Sequence, residues 1–463
     1  MKDDGPISLR NLLLLSGADG YLRDSSVCVS YRDLLRASVL PGRRNKLRER
    51  IVAVMTSDQL STALALIELD GIARRLIVCP TIVAKQQLAF VLETAGVEAI
   101  ISDQAPELSE FVGIPVLAPG FDGGGPDHED LSGPSRTEWI TFTSGTVGTP
   151  KLVVHTLASL TGAIDLQKQA APDIVWGTLY DIRRFGGLQV LLRAVASGRP
   201  LILSSPSESI GDYLARACSC RITHISGTPS QWRRVLMSGA AHLITPEYLR
   251  LSGEIADQAI LDRLRTVYPQ ATIVHAYGSS EAGTVFEVTD CKAGFPAGMI
   301  KRPGQVEMKI DGQTLRVRSL RTARSYLGDG APSLQQDDGF VDTGDTVELR
   351  EGRYYFTGRR DGRINIGGLK VYPEEVEAVI NRHPEVHMSV VQAKKNPVLG
   401  AILVANVVLN SPVQPDESEA EALELRIVTF CRKHLPSYKI PAAVRFLPFL
   451  PLASSGKAAR AEL

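Results

Sequence analysis

The chain has 463 residues, with 51 lysine plus arginine against 51 aspartate plus glutamate, so its formal net charge is zero. Hydrophobic residues make up 44% and charged residues 22%, the balance of a globular protein of several domains and not of a disordered, collagen-like or coiled-coil chain. Neutrality also argues against a global basic footprint for nucleic acid, and six cysteines in so long a chain make no disulfide framework.

In chain order, the N-terminal MKDDGPISLRNLLLL carries two acidic residues before a short apolar stretch, unlike a secretory signal. No run approaches the ~18 apolar residues of a membrane span. A soluble, cytoplasmic protein with no membrane span and no nucleic-acid partner is expected. Residues 51–55 (IVAVM), 76–79 (LIVC) and 99–102 (AIIS) read as strands, separated by helical spacing over 60–69 and 83–95. This alternation predicts parallel βαβ units. Residues 115–134, rich in Gly, Pro and acidic side chains, predict a loop. Beyond it come strands at 139–143, 200–204, 222–226 and 271–278, and helices around 213–218, 229–238 and 259–268.

From 306 the texture changes to short β-type runs at 306–310, 314–317, 346–349 and 354–357, followed by the polar, glycine-rich 358–368 (GRRDGRINIGG). A helix at 373–381, strands at 389–392 and 401–409, and a helix at 419–434 complete the pattern. The expected class is α/β, with a domain boundary at 358–362 between a large N-terminal domain (1–357) and a small α+β C-terminal domain (363–463).

Five segments carry chemistry. Residues 143–151 (TSGTVGTPK) place two glycines, four hydroxyls and a lysine after a strand, donors suited to phosphate. The loop is not a Walker motif, because Pro150 stands at the second glycine and Leu152 follows the lysine. Residues 277–281 (YGSSE) end a predicted strand, where α/β proteins bind ligands, and Glu281 suits Mg²⁺ beside phosphate oxygens. Ala282 spoils a nucleophile elbow at Gly278-x-Ser280. Residues 342–345 (DTGD) read as an aspartate on a tight turn, able to accept from two ribose hydroxyls. Arg359, in 358–377, could meet a nucleotide, and Lys457 sits on a polar C-terminal loop (450–460). His383 and His387 stand at i and i+4, but Pro384 breaks the helix that would align them on a metal, so both read as structural or surface residues. His155 and His275 receive no role.

In order, TSGTVGTPK, AYGSSE, DTGD, GRRDGRINIGG and SSGKAAR resemble the adenylate-forming superfamily, which holds acyl-CoA synthetases, adenylation domains and luciferases. The resemblance implies a carboxylic acid activated by ATP and Mg²⁺ as an acyl-adenylate, then passed to the thiol of coenzyme A or a phosphopantetheine. It implies that Thr143, Ser144, Gly145, Thr146, Gly148 and Lys151 cradle phosphates. Ser252, Gly253, Glu254, Ala276, Tyr277, Gly278, Ser279 and Ser280 would bind the adenylate. Asp345 and Arg359 would take the ribose, Glu281 the metal, and Lys457 the charge developing on the transferred phosphate. The resemblance further implies several sheets in the large N-terminal domain, a hinge at 358–362 and a mobile small C-terminal domain. Asp361 would be the hinge residue, and Gly367 and Gly368 would line the thiol tunnel.

Departures from the family pattern (Val147, Leu152, Ser280 and Asn365) leave Glu281, Asp345 and Lys457 in place. The resemblance draws the acid pocket from 176–189, where Arg184, Phe185, Gly186 and Gly187 replace a common F-H-x-G-G, and from loops near 226–230 and 252–254. Asp181 falls about four residues too early to serve an amino-acid substrate. Arg183 or Arg184 could pair with a polar or anionic substituent. An acyl-CoA synthetase is the favoured expectation. A ligase loading a carrier protein in trans, a luciferase-like oxygenase and a non-catalytic nucleotide-binding protein are its alternatives.

Overall fold

A computed structural model describes residues 8–40, 42–80, 85–104, 113–120, 136–143, 150–166, 171–205, 207–301, 304–396, 400–411, 413–453 and 456–459. Two large sheets dominate. One runs in the order Gly283–Val288, Thr272–Ser279, Tyr248–Ser252, His224–Gly227, Trp176–Thr178, Leu201–Ile202, Tyr21–Arg23, Cys28–Ser30. It is parallel except for the antiparallel strand at each edge. The other sheet runs Ser325–Leu327, Leu152–Thr156, Glu138–Phe142, Arg75–Val78, Ile51–Val54, Ala99–Ile101, Val116–Leu117. A third, antiparallel sheet joins Phe295–Pro296, Arg353–Arg359, Val341–Arg350, Thr314–Ser319 and Val306–Asp311.

The core lies between the two large sheets. Helix Gln59–Leu69 is buried at ten positions, because it shares one apolar cluster with strands of both large sheets, helix Phe185–Ser197 and the N-terminal helix Leu9–Leu15. A helix apolar all round can only be stable enclosed in this way. Two polar residues on its path are satisfied: Glu68 accepts from the backbone of Val39 and from Ser38, and Asp58 caps its first turn through Ser61.

The predicted alternation over 51–101 is present, with the strands at Ile51–Val54, Arg75–Val78 and Ala99–Ile101. The segment 115–134 was expected to be loop throughout, yet Val116–Leu117 pairs in parallel with Ile100–Ile101; part of the remainder, 121–134, lies outside the described residues. The DTGD segment is a clearer correction. Asp342, Gly344 and Asp345 lie within strand Val341–Arg350, not on a tight turn. The strand carries a register shift beside Thr346, and Gly344 adopts φ +71°. This irregularity re-aims Asp345 from within the sheet, as bulges do.

The C-terminal part has hairpin Ile364–Ile366/Leu369–Val371 and the three-stranded sheet Val386–Asn396, Gly400–Leu409, Ala443–Phe446. Helices Pro373–Ile380 and Glu417–His434 cover that sheet around their own apolar core. Gly367 and Gly368 form the hairpin turn, with φ +56° and +89°, a conformation glycine adopts without cost. Among the described residues no helix is long and apolar enough to cross a membrane.

This part docks on helices Pro229–Met237 and Gln258–Val267 through a polar seam. Asp257 caps the second helix and accepts from Arg233 (2.6 Å) and Asn381 (2.9 Å). Arg263 donates to Asn410 and to the Val386 carbonyl. His387 is the buried centre of the seam. Arg263 can only donate, so His387 Nδ1 accepts from it at 2.8 Å, and Nε2–H donates to the Arg233 carbonyl at 2.8 Å. Burial, with two guanidiniums alongside, pushes the imidazole down to about 4.

The seam therefore holds His387 neutral. Its contribution is complete above the free imidazole pKa of ~6.5 and is lost as pH falls towards about 4. We expect small-angle scattering to show the molecule expanding between pH 7.5 and 4.5 while its helix and strand content is retained. An unchanged radius of gyration across that range would count against the seam's dependence on a neutral His387.

Candidate active site

The candidate site is a cleft at the carboxyl ends of the parallel strands His224–Gly227, Tyr248–Ser252 and Thr272–Ser279, covered by helix Phe185–Ser197 and closed by the loop bearing Lys457. Its volume is about 910 Å³, open space included. This is where open α/β sheets bind ligands.

Tyr277 is the first wall. Strand Thr272–Ser279 bulges after it, and its ring stacks on Phe356 (4.6 Å) and Phe286 (5.4 Å). Its hydroxyl donates to Asp345 Oδ2 at 2.6 Å. Burial, then the Asp345 charge, push that phenol well above its usual range. Burial likewise raises Asp345, against the pull of the Tyr277 hydrogen bond, Arg359 and Lys457. Arg359 faces Asp345 across the strand pair at 4.0 Å. A carboxylate can accept from further hydroxyls, and beside a planar ring it could meet a nucleoside.

The hairpin after Tyr277 carries Glu281 at its tip. Gly278 and Gly283 are obligatory there: an added Cβ would stand 2.7 Å from the Gly283 carbonyl oxygen and 2.3 Å from that of Arg321, respectively. Tyr326 donates to Glu281 at 3.2 Å, and the Lys151 ammonium lies 5.1 Å over the Tyr326 ring. Thus the lysine of the 143–151 loop and the carboxylate of the YGSSE segment meet on one tyrosine. Strands Glu138–Phe142 and Leu152–Thr156 are antiparallel neighbours, and Thr143 N–H donates to the Lys151 carbonyl at the loop's base. Ser144, Gly145, Thr146 and Gly148 lie outside the described residues. His155 is a satisfied core residue: it contacts the Ser280 carbonyl at 2.7 Å and Ser159 at 3.2 Å, and burial pushes it down to about 4.

Lys457 arrives from the C-terminal part and is held by its neighbours. Thr228, which caps helix Pro229–Met237, donates its hydroxyl to the Gly456 carbonyl at 2.7 Å. Glu254 accepts the Ala458 N–H at 2.9 Å, together with Ser230 N–H (2.8 Å) and Ser230 hydroxyl (3.0 Å). The peptide groups on both sides of the lysine are therefore tied to the N-terminal domain. Glu254 acts here as a loop anchor. Gly456 has φ +74°, and a Cβ there would press on Gln231 at 2.5 Å. Gly253, at φ +86°, leaves room for the Lys457 stem, whose Cε would be 3.7 Å from a Cβ at that position. Burial lowers the Lys457 ammonium pKa, opposed by Glu254 and Asp345.

The end of the cleft expected to take the acid is shaped by Tyr180, Arg184, Phe185 and Gly186. Buried Tyr180 donates its hydroxyl towards the carbonyls of Gly227 and Ser252 and accepts from Ser252 N–H. Gly187 sits behind this wall, against the Asp181 carbonyl, where a Cβ would approach to 2.3 Å. Arg183 turns away from the cleft: it is buried on Asp181 (2.7 Å) and the Thr56 carbonyl (2.6 Å), so only Arg184 of the pair lines the cleft. Ala276 is buried in its strand, and Ser279 spends its hydroxyl on the Ala282 N–H. Asp361 lies in an exposed turn at Arg360–Gly362, and Gly367 and Gly368 stand outside the cleft lining. The sequence names the segments 176–189 and 226–230 but does not single out Tyr180 and Thr228 within them, and it gives no sign of Tyr326; their partners are 45 to 228 residues away.

Comparison with known proteins gives the family. The AMP-binding enzyme family profile matches residues 51–324, and that of the AMP-binding enzyme C-terminal domain matches 375–457. 2-Succinylbenzoate–CoA ligase of Bacillus velezensis is 25% identical over 435 residues, covering 89% of this chain and 82% of that protein. Mitochondrial acyl-coenzyme A synthetase ACSM5 of Rattus norvegicus is 27% identical over 367 residues, 73% of this chain and 62% of the relative. Among solved structures, the anthranilate CoA ligase AuaEII in complex with anthranoyl-AMP superposes with TM-score 0.82 at 17% identity, covering 99% of this chain and 97% of that one. The o-succinylbenzoate CoA synthetase of Bacillus subtilis, with its acyl-adenylate intermediate, gives 0.77 at 20% identity, covering 98% and 97%. With more than half of its residues matched by the family profile, the chain belongs to the AMP-binding enzymes, the adenylate-forming ligases.

Proposed function

We propose that this protein is an AMP-forming acid–thiol ligase that makes an acyl-CoA. The observation that carries the reading is the convergence of Lys457 with the Tyr277–Asp345 pair in one cleft, although they come from different domains. A carboxylate oxygen attacks the α-phosphorus of ATP, pyrophosphate leaves, and an acyl-adenylate forms. The thiol sulfur then attacks the acyl carbon, AMP departs, and the thiol proton passes to solvent. The CoA ligases among the relatives support coenzyme A as acceptor.

Each residue has a physical task in that scheme. Tyr277 stacks on the adenine, and Asp345, with Arg359 opposite, accepts from the ribose hydroxyls. Lys457 offsets charge on the α-phosphate during in-line attack, where an ammonium in a desolvated site acts most strongly. Lys151 and the rest of the 143–151 loop hold the outer phosphates. Glu281 is a lone carboxylate, which fits Mg²⁺ carried in on a triphosphate, since that ion uses one or two carboxylates beside phosphate oxygens and water. The ion supplies charge neutralisation. We place the hinge at 358–362 with Asp361 in its exposed turn. Rotation there would bring Gly367 and Gly368 to the thiol path in the second step.

The test is acid-dependent pyrophosphate release across a panel of aryl, fatty and amino acids, with and without coenzyme A. Release should require one acid class, and coenzyme A should convert the product to a thioester. Lys457→Ala should lower pyrophosphate release by ~10²–10³. Release indifferent to acid would overturn the reading.

Glu254 should matter through the loop it anchors. Glu254→Ala removes three hydrogen bonds to a carboxylate, and loss of the Ala458 bond alone is worth about 1.5–3 kcal/mol. Adenylation kcat/KM is expected to drop about 10- to 100-fold by that arithmetic. Thioester formation from supplied acyl-adenylate should change much less. Equal losses in both half-reactions would mean a general structural defect.

A further inference from the structure

The far end of the acid pocket is built for charge. Helix Phe185–Ser197 sends Gly186, Gln189 and Arg193 along one stripe into the cleft, and strand Tyr248–Ser252 presents Arg250 from the facing sheet. Both guanidiniums reach the same carboxylate oxygen, Glu287 Oε1, at 3.5 Å from Arg193 and 3.1 Å from Arg250. Two cations thus share one anion. Arg321, which also feels Glu287, donates to the carbonyls of Gly162 and Thr284, and among the described residues Glu287 is the carboxylate that acts on Arg193.

Two polar atoms of this region are buried without a hydrogen-bond partner among the described residues: Arg193 Nε and Ser226 Oγ. Ser226 is 1% exposed and stands beside Arg250 in the parallel register. Buried polar groups are normally satisfied, and an orphan asks for an explanation. Keeping an excess positive charge in a partly desolvated pocket is costly unless something pairs with it. A guanidinium offers a planar fork that matches a carboxylate.

Resting on the ligase reading above, we propose that the acid substrate carries a second anionic group, a dicarboxylic acid in the simplest case, and that Arg193 and Arg250 with Ser226 bind the group that is not activated. Arg250 lies three residues back along its strand from Gly253, where Lys457 approaches, or about 10 Å of extended chain. The substrate therefore bridges two cationic ends across the apolar wall of Tyr180 and Phe185. Lys457 faces the carboxylate that becomes the acyl-adenylate. Glu287 competes with the distal anion for the same two arginines and disfavours acids that carry a cation there.

The test compares the intact protein on matched pairs: dicarboxylic acids of increasing spacer length, straight-chain and aromatic, against monocarboxylic acids of the same skeleton. The readout is acid-dependent pyrophosphate release. A dicarboxylic acid should exceed its monocarboxylic counterpart in kcat/KM by at least about tenfold, the effect of one charged hydrogen-bonded contact. Arg193→Met and Arg250→Met should each cut that ratio about tenfold or more, chiefly through KM. Glu287→Gln should raise it. Monocarboxylic acids turned over as well as or better than the diacids would overturn the proposal alone and leave the ligase reading standing. No release with any acid would overturn both. The wild-type comparison decides even where an arginine variant fails to fold.

Discussion

Everything in the cleft depends on holding one lysine from a small domain against a carboxylate and a tyrosine from a large one. The tie is made by backbone, not by the lysine itself: Thr228 takes the carbonyl before Lys457 and Glu254 the N–H after it. Anchoring the flanking peptide groups leaves the ammonium uncommitted to any single acceptor among the described residues, within reach of the charges of Glu254 and Asp345. A direct, tight ion pair would hold the loop as well but would compete with phosphate for the same charge. The polar character of the docking seam fits the same need. Asp257, Arg233, Arg263 and His387 bind through hydrogen bonds, which can be exchanged for water at modest net cost, whereas a large apolar interface would resist separation.

The N-terminal scaffold supplies rigidity where the chemistry needs it. The fully enclosed helix Gln59–Leu69 joins the two sheets into one body, so strand ends from both sheets keep their spacing. Tyr180 then links the segment before helix Phe185–Ser197 to Gly227 and Ser252, fixing one wall of the cleft relative to the strand ends. Glycines mark places where backbone approaches too closely for a Cβ: Gly187 against Asp181, Gly283 against Arg321, Gly456 against Gln231.

Much of this was legible in the sequence, for identifiable reasons. The βα alternation over 51–101 shows because buried parallel strands are short continuous apolar runs. The order of the glycine-, hydroxyl- and acid-bearing segments carries the resemblance to the adenylate-forming family, which the family profile bears out. Other features were not legible because they are long-range. Thr228 reads as an ordinary helix cap, and nothing local says that it also holds a carbonyl 228 residues away. Arg250 sits in strand Tyr248–Ser252, too short and polar to stand out, and its meaning comes only from Arg193 and Glu287 across the pocket. Asp345 was placed on a turn because Asp and Gly favour turns; the pairing with Arg353–Arg359 makes it part of a bulged strand instead. Arg183 and Arg184 are adjacent in sequence, but one is spent on Asp181 and the other lines the cleft.

The central claim is that the docked arrangement is the one that forms the acyl-adenylate. Arg263 and Asn410 touch across the seam at 2.6 Å, outside the cleft lining, and can be replaced by cysteines in a protein whose exposed Cys28 and Cys218 are changed to serine. Joining Arg263→Cys to Asn410→Cys with a short cleavable thiol cross-linker fixes the domains as docked. The account predicts that the locked protein keeps acid-dependent exchange of pyrophosphate into ATP and loses thioester formation until the linker is cut. Loss of exchange in the locked protein, restored on cutting, would contradict it.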